Sequence, residues 1–460
     1  MKPQLILFLS LFTLLANART PIERFVNAPN MRHAQIGFQI REIATNRVIA
    51  EYQSQQSLTP ASVVKIVTTA AALDILGADY RFTTRLQHDG NIGSDGTLNG
   101  NLIIRGGGDP TLGSEFLGNA DFAPAWINAV KQAGIKNIEG KIIADASAFD
   151  DEVIPVGWTW RNMGNHYAPG IHGIAAFDNR YQILFNSQRA GAQTQIVRTI
   201  PEMNYRFDNR VTAAANSQDS AYIYGAPFSG ERIIRGTIPQ NRTSFVVRGD
   251  IANPPEFLAN FFEKELIKNG ISVRNAERNF ARNRTLIYTQ RSPTLAEIAR
   301  VTNFRSNNLF AEHLFKYLSL QNAAAANNND AISVILNHWK QKGLDTSGIF
   351  LYDGSGLSPQ NAIPADFLNH LLLLARNNSA FYLSLPLAGR EGTVANFLKN
   401  TPLQGNARLK SGSIDGVQAY AGYVQSGGKE YAVTIMVNRF TGSRAEVRRQ
   451  ISELLNEYFK

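Results

Sequence analysis

The sequence predicts an α+β protein in which a sheet-and-helix domain is interrupted by a long β-rich insertion. Alternating strands occur near both ends of the chain, and helical patterns lie between them. Residues 81–290 are instead rich in Gly, Asn and short β-like runs. A chain of 460 residues, 44% of them hydrophobic, is long enough for about two or three domains.

The first eighteen residues are typical of a secretory signal peptide. Lys2 provides the positive start, residues 5–15 the apolar stretch, and Ala16-Asn17-Ala18 a small-residue cleavage site. The apolar stretch is short for a membrane span, which needs ~20 residues. We therefore expect cleavage before Arg19, export, and a periplasmic location.

The remaining elements follow in chain order. Residues 34–52 alternate as a β-hairpin, and a helical pattern follows Pro60 and stops at Gly77. Helices are expected in the insertion near 121–133 and 255–268. Two strands and a final helix end the chain, and these strands should share a sheet with the N-terminal hairpin. The predicted domains are 19–80 with 288–460, 81–160 with 236–287 as a first insertion, and 161–235 as a second.

Composition restricts the classes of function. The formal charge of +9 favours anionic partners, such as cell-wall polymers or a membrane surface that the protein could bind peripherally. Nucleic acid is not expected, because no recognition motif or dense basic run accompanies the charge. The chain has no cysteine, and its seven histidines are scattered, so neither a disulfide nor a metal site is predicted.

Ser62 and Lys65 form the first pattern that carries chemistry. A serine needs a base to remove its proton, and a lysine three residues later on a helix lies on the same face. The alternative for this pair alone is an ordinary solvated helix start. A second pattern, Ser306-Asn307-Asn308, lies in a turn between two helices, where its alternative role is helix capping.

Lys410-Ser411-Gly412-Ser413 is the third pattern, and it precedes a predicted strand. Its alternative is an edge strand with an exposed lysine and a glycine bulge. In this order the three patterns resemble the S-x-x-K, S-D-N and K-T-G set of β-lactamases and penicillin-binding proteins. Asn307 and Ser411 depart from that set, but Asn is common in the family described next, and Ser keeps the hydroxyl.

The interval of 244 residues between Ser62 and Ser306 does not resemble a compact β-lactamase. The chain resembles the class C low-molecular-mass penicillin-binding proteins, which are D-alanyl-D-alanine carboxypeptidases and endopeptidases with domains inserted between the first two motifs. Further likenesses are the runs 106–112, Gly-Gly-Gly-Asp-Pro-Thr-Leu, and 352–358, Tyr-Asp-Gly-Ser-Gly-Leu-Ser. The glycines at 106–108 are otherwise a structural turn, because no Gly-Lys-Ser/Thr follows them.

The resemblance implies a function and a set of residue roles. The substrates would be peptidoglycan peptides, β-lactams would be covalent inhibitors, and no metal or organic cofactor would be needed. An acidic residue of the insertion, Asp145 or Asp150, would contact the substrate side chain. The implied site residues are Ser62 as nucleophile, Lys65 as base, Ser306 as proton relay, Asn308, Lys410 and Ser411 for substrate binding, and the backbone N–H groups of Ser62 and Ser413 for the oxyanion.

Two rival functions remain open at this point. A serine β-lactamase would need a deacylating base, such as a Glu-x-x-Leu-Asn loop, and residues 256–260, Glu-Phe-Leu-Ala-Asn, have the wrong order. A non-catalytic cell-wall-binding protein would use the positive surface and retain the motifs as structure. Covalent labelling by a penicillin distinguishes catalysis from binding, and rapid turnover of the penicillin distinguishes the β-lactamase.

Overall fold

The computed structural model describes residues 19–117, 121–276, 283–321 and 323–460. The predicted signal peptide lies outside these residues. Within these four ranges, no helix is both long and apolar enough to cross a membrane.

Groups of strands and groups of helices follow one another along the residues that the structure describes. The strands are β1 Gln35–Glu42, β2 Val48–Tyr52, β3 Ser57–Leu58, β4 Thr83–His88, β5 Asn91–Ile92, β6 Thr97–Asn99, β7 Leu102–Arg105, β8 Asn137–Ile138, β9 Ile142–Asp145, β10 Arg180–Ser187, β11 Gln195–Ile200, β12 Arg206–Ala214, β13 Tyr222–Tyr224, β14 Glu231–Pro239, β15 Arg242–Asp250, β16 Ser272–Val273, β17 Thr285–Arg291, β18 Ile363–Pro364, β19 Ala407–Ile414, β20 Val417–Ser426 and β21 Lys429–Asn438. The α-helices are α1 Pro21–Val26, α2 Val64–Leu76, α3 Ala123–Gln132, α4 Pro254–Lys268, α5 Leu295–Arg305, α6 Asn308–Tyr317, α7 Asn328–Gln341, α8 Ala365–Ala375, α9 Ser379–Ser384 and α10 Arg444–Tyr458.

The two ends of the chain build one antiparallel sheet with the strand order β19-β20-β21-β1-β2. β1 pairs with β21 over its whole length, with Phe38 opposite Ile435. This confirms the prediction that the N-terminal hairpin and the C-terminal strands share a sheet. A long insertion between them is tolerated because the pairing depends on where the strands lie and not on their separation in sequence.

Both faces of this sheet are covered. Side chains of β21 alternate between two cores: Ile435 packs with α1 and α10, whereas Met436 packs with α8 and α2. The strand is therefore apolar at successive positions, as expected for a strand buried on both faces. α2 lies within the second of these cores, with the ten residues Val64–Leu73 all buried, and it ends at Gly77, which adopts a positive φ of 87°.

The insertion contains four small sheets, with the orders β17-β4-β7-β9, β16-β8-β6-β5, β11-β10-β15 and β12-β14-β13. The first two share a core with α3 and α4, and the other two form a separate core around Tyr181 and Ile234. The helices predicted near 121–133 and 255–268 are confirmed as α3 and α4. The domain boundaries remain predictions, and β14 spans the boundary placed at 235.

Replacing Ile435 should destabilise the central sheet without touching any motif residue. Its side chain is fully buried, so Ile435→Ala leaves a cavity and should lower the free energy of unfolding by about 2–5 kcal/mol. Ile49→Ala, at an exposed position of β2 in the same sheet, is the matched control and should change it by less than about 1 kcal/mol. Urea unfolding followed by tryptophan fluorescence measures both, and equal losses would contradict this account of the core.

Candidate active site

The three sequence patterns meet at one cleft of about 630 Å³. Ser62 lies at its base, Ser306 and Asn308 form one wall, and Ser411 and Ser413 form the wall along β19. The insertion also contributes side chains to the lining, and these are Thr159, Arg161, Asn162, Tyr167 and Tyr222. Both lysines of the patterns are fully buried beside it. The structure thus brings together the predicted residues of all three patterns.

Ser62 is held in a 3-10 turn, Ala61–Val63, that leads directly into α2. We predicted it in the first turn of the helix, and the tighter turn instead places it just before that helix begins. Lys65 is one turn further on, and its Nζ lies 3.1 Å from Ser62 Oγ. The expected geometry of a serine and a lysine on one face is therefore present.

Lys65 Nζ has two further partners, and both are oxygens that accept hydrogen bonds. It donates to Asn308 Oδ1 and to the carbonyl oxygen of Ser355, each at 2.6 Å. A neutral amine has two N–H groups and one lone pair. If the two N–H groups serve these two oxygens, the lone pair is left for the Ser62 hydroxyl proton, which is the arrangement a general base needs.

Burial favours this neutral form. It lowers the pKa of Lys65 to about 7, although the nearby Glu312 and Asp353 act in the opposite direction. Burial also lowers the pKa of Lys410 well below its usual value, and the charge of Lys65 lowers it further. A charge on Lys65 therefore disfavours a charge on Lys410, whereas burial is the cause that lowers the pKa of Lys65.

The three residues of the second pattern, Ser306-Asn307-Asn308, have different contacts and roles. Ser306 ends α5 in the left-handed conformation, with φ of 54°, and faces the cleft. Asn307 caps α6 by accepting the N–H of Phe310, so its role is the capping alternative, which Asp would fill equally well. Asn308 holds Lys65 with its oxygen and donates its amide to the carbonyl of Tyr167 at 2.7 Å. Each end of the Asn308 amide therefore has one protein partner, and one N–H and one lone pair remain for a substrate.

Lys410 lies on the edge strand β19, but its side chain is buried, so the alternative of an exposed edge lysine is wrong. Its Nζ donates to Ser306 Oγ at 3.0 Å and to the carbonyl oxygen of Ser411 at 2.7 Å. The Ser411 hydroxyl donates to Thr393 Oγ1 at 2.8 Å. The second and third patterns are thus joined by a direct hydrogen bond.

Gly412 allows β19 to pass very close to the turn that carries Ser62. A Cβ at this position would lie 2.4 Å from the carbonyl oxygen of Pro60 and 3.1 Å from the backbone nitrogen of Ser62. Only glycine leaves that backbone in place. Ser62 and Ser413, whose backbone N–H groups are the predicted oxyanion donors, both line the cleft.

The loop at 352–358 explains one of the likenesses noted in the sequence. The buried Asp353 accepts four hydrogen bonds, from the backbone N–H groups of Gly356 and Ser358 and from the side chains of Trp158 and Asn361. These bonds fix the loop so that the carbonyl of Ser355 faces Lys65. The sequence pattern indicated that the loop matters, but its target is visible only in the fold.

Asp145 and Asp150 do not line the cleft as the described residues form it. Asp145 is bound by Arg105 and Arg284, each at 2.6 Å, and Asp150 pairs with Lys316. The insertion instead contributes Arg161, which our sequence analysis missed. Its guanidinium donates to Asp415 at 2.7 Å and to the Tyr222 hydroxyl at 3.1 Å. No local pattern around Arg161 signals this role, because both partners come from distant segments.

Metal chemistry has no support in the part of the chain that the structure describes, where no group of His, Asp and Glu could hold an ion. His313 is an example: it is buried and contacts the carbonyl of Gly108 at 3.0 Å. In the glycine run at 106–108, a Cβ at Gly107 would lie 2.3 Å from the carbonyl oxygen of Thr83, and Gly108 has a positive φ of 76°, as a structural turn requires.

Comparison with known proteins places the chain in a family. Residues 18–458 match the D-Ala-D-Ala carboxypeptidase 3 (S13) family. A D-alanyl-D-alanine carboxypeptidase of Actinomadura sp. (strain R39) is 28% identical, over 96% of this chain and 85% of that protein. The D-alanyl-D-alanine carboxypeptidase DacB of Haemophilus influenzae is 25% identical, over 92% and 89%.

A solved structure shows that the fold is shared. The crystal structure of penicillin binding protein 4 from Haemophilus influenzae matches with a TM-score of 0.80 at 24% identity, covering 93% of this chain and 97% of that one. This likeness confirms the predicted class of fold, a sheet-and-helix domain with β-rich insertions. The family match confirms the resemblance to class C low-molecular-mass penicillin-binding proteins that was drawn from the three motifs. The chain therefore belongs to the D-Ala-D-Ala carboxypeptidase 3 (S13) family, and the protein is a peptidase of that family.

Proposed function

We propose that this D-Ala-D-Ala carboxypeptidase cleaves peptidoglycan stem peptides through an acyl-enzyme on Ser62. One observation carries the proposal. Lys65 Nζ lies between two oxygens that can only accept and one hydroxyl that can donate, so its neutral form is oriented to take the Ser62 proton.

The reaction then follows from the positions of the side chains. Ser62 Oγ attacks the carbonyl between the two D-alanines while its proton passes to Lys65. The oxyanion is held by the backbone N–H groups of Ser62 and Ser413, which cost no reorganisation when charge develops. The Ser306 hydroxyl, bound to Lys410, relays a proton to the leaving amine, so that D-alanine departs and the ester remains.

Substrate binding is assigned to the β19 wall and the Ser306 wall. Lys410 and Ser411 hold the terminal carboxylate, and Asn308 contacts an amide of the peptide while it positions Lys65. Water hydrolyses the ester in the second half of the reaction. Because an endopeptidase substrate forms the same ester, we propose that peptide cross-links enter the same cleft.

β-Lactams should acylate Ser62 and leave slowly. A related structure from Haemophilus influenzae, penicillin binding protein 4, was solved in complex with a β-lactam. Among the described residues that line our cleft, Asp415 is the one carboxylate, and it is paired with Arg161. Glu256, nearest in sequence to a deacylating loop, lies in α4. The one carboxylate of the described cleft lining is thus engaged by an arginine, which favours slow deacylation and a peptidase over a β-lactamase.

We also propose that the protein acts in the periplasm, in contact with the cell wall. The N-terminal segment has the composition of a signal peptide, and the formal charge of +9 favours anionic polymers. Peripheral association with an anionic membrane surface would draw on the same charge.

Ser62→Ala should abolish covalent labelling by a fluorescent penicillin and release of D-alanine from a pentapeptide, because Ser62 is the one hydroxyl bonded to Lys65 Nζ among the residues that the structure describes. Labelling on a denaturing gel and a D-alanine assay measure the two losses. Equal labelling of the variant and the parent would refute the assigned nucleophile. If the parent itself does not label, the non-catalytic cell-wall-binding function gains, and rapid penicillin turnover by the parent would favour the β-lactamase.

Acylation should become faster as the pH rises from about 6 to about 8. Lys65 acts as a base only when neutral, and burial brings its pKa to about 7, so the active fraction grows through this range. The second-order rate of penicillin labelling at each pH measures the effect. Lys65→Arg, which stays protonated, should lower the rate by about 100-fold to 10,000-fold. A rate for the parent that is constant from pH 5.5 to 8.5 would contradict the role of Lys65.

Gly412→Ala should lower the acylation rate by about 100-fold to 1,000-fold, the usual cost of losing an oxyanion donor. The added Cβ forces β19 away from Pro60 and Ser62, so the Ser413 N–H no longer meets the oxyanion. Gly428→Ala is the control for backbone strain alone: its positive φ of 74° disfavours alanine, but its Cβ meets no atom within 4 Å, so it should cost stability and leave acylation normal. Normal acylation by Gly412→Ala would show that the close approach is not needed.

A further inference from the structure

The sheet β12-β14-β13 of the insertion has one buried and one open face. Ile223 and Ile234 point into the core, and both are fully buried. Their neighbours Tyr222, Arg235 and Arg210 point the other way, because successive side chains of a strand alternate. Arg210 and Arg235 are exposed, so this outer face is in contact with solvent.

A row of side chains crosses the outer face and starts at the cleft. Tyr222 pairs with Arg235, and Arg235 pairs with Arg210, so the three lie side by side on adjacent strands. Tyr222 itself lines the cleft and lies under the guanidinium of Arg161, 4.8 Å from the ring centre. The row therefore extends the cleft wall outwards across the inserted sheet.

The two arginines are an unfavourable pair within the protein alone. Like charges directly opposite on neighbouring strands destabilise a sheet. Asp208 lies 2.5 Å from Arg210 and also interacts electrostatically with Arg235, so one carboxylate serves two arginines. The row therefore keeps a net positive charge.

Aromatic side chains flank the row. Trp160 is 53% exposed, and it stacks on Tyr224 with 6.2 Å between ring centres. Tyr224 lies two residues from Tyr222 on β13 and points to the same face. An exposed tryptophan beside arginines is a combination enriched where proteins bind partners.

We propose that this basic–aromatic strip binds the part of the peptidoglycan polymer that leads away from the scissile bond. The strip consists of Trp160, Arg161, Tyr222, Tyr224, Arg235 and Arg210. The proposal rests on the proposed function, and it adds a second binding surface outside the catalytic cleft.

Two observations indicate that the peptidoglycan polymer is the ligand of the strip: the strip is continuous with the cleft, and it is positively charged. A polymer held with its peptide in the cleft must leave along a wall, and the strip is continuous with the wall at Tyr222. Cell-wall peptides carry carboxylates, for which the planar guanidinium of arginine is the preferred partner. The aromatic rings provide a flat apolar surface that the rest of the polymer can contact.

The test separates polymer binding from catalysis. In a Ser62→Ala background, which cannot digest the polymer, Arg210→Gln with Arg235→Gln should weaken co-sedimentation with purified peptidoglycan by about ten-fold. It should also make binding less sensitive to salt, because two cations are removed. Arg198→Gln with Arg242→Gln removes two exposed arginines from the neighbouring sheet β11-β10-β15 and is the matched control, expected to bind normally.

In the active enzyme the same double variant should lose about ten-fold in kcat/KM on the polymer, with unchanged D-alanine release from a short acylated peptide. Unchanged binding of the polymer, or equal losses on polymer and short peptide, would overturn the proposal. Loss of binding to phosphatidylglycerol vesicles with normal polymer binding would assign the strip to a membrane and also overturn it. Failure of the proposed function would show differently, as penicillin labelling that survives Ser62→Ala.

Discussion

The site depends on one interaction, the placement of Lys65 Nζ among Ser62, Asn308 and Ser355. These residues come from the start of α2, the start of α6 and the loop after α7, so three distant segments must pack correctly before the base is oriented. Most of α2 is buried for this reason: it fixes Lys65 with respect to α6 and the Asp353 loop. The helices of the fold therefore serve to position a single amine, Lys65 Nζ.

The central sheet positions the residues of the third pattern. Lys410, Ser411 and Ser413 must lie along an edge that passes the Ser62 turn, and an edge strand leaves its outer side open to a substrate. β20 and β21 hold β19 in place, and β1 from the other end of the chain completes the sheet. Because the insertion leaves after α2 and returns before α5, it adds side chains to the cleft without disturbing this pairing.

Local chemistry made much of the site predictable from sequence. Ser62 with Lys65 needs only helix spacing, and Ser306 with Asn308 only a turn between two helices. The fold class followed from strands at both ends, and its insertion from the change in composition after residue 80. Two features were not predictable: the place of Arg161 in the cleft, and the way Asp353 fixes the loop that faces Lys65. Each depends on where a loop from one segment meets another segment. The strand order of the small inserted sheets was also not predictable, because short strands carry little periodicity.

Burying two lysines beside each other is costly for a protein, and the structure shows how the cost is limited. Charged, both would lose hydration and repel, whereas neutral amines lose far less. Glu312 and Asp353 oppose the effect of burial on the pKa of Lys65. Both are buried, both accept backbone N–H groups of the 353–358 loop, and both favour the charge of Lys65. Without them, burial would lower the pKa of Lys65 further and weaken it as a base. Their presence keeps that pKa near neutrality, where a base is both free of its proton and strong enough to take one.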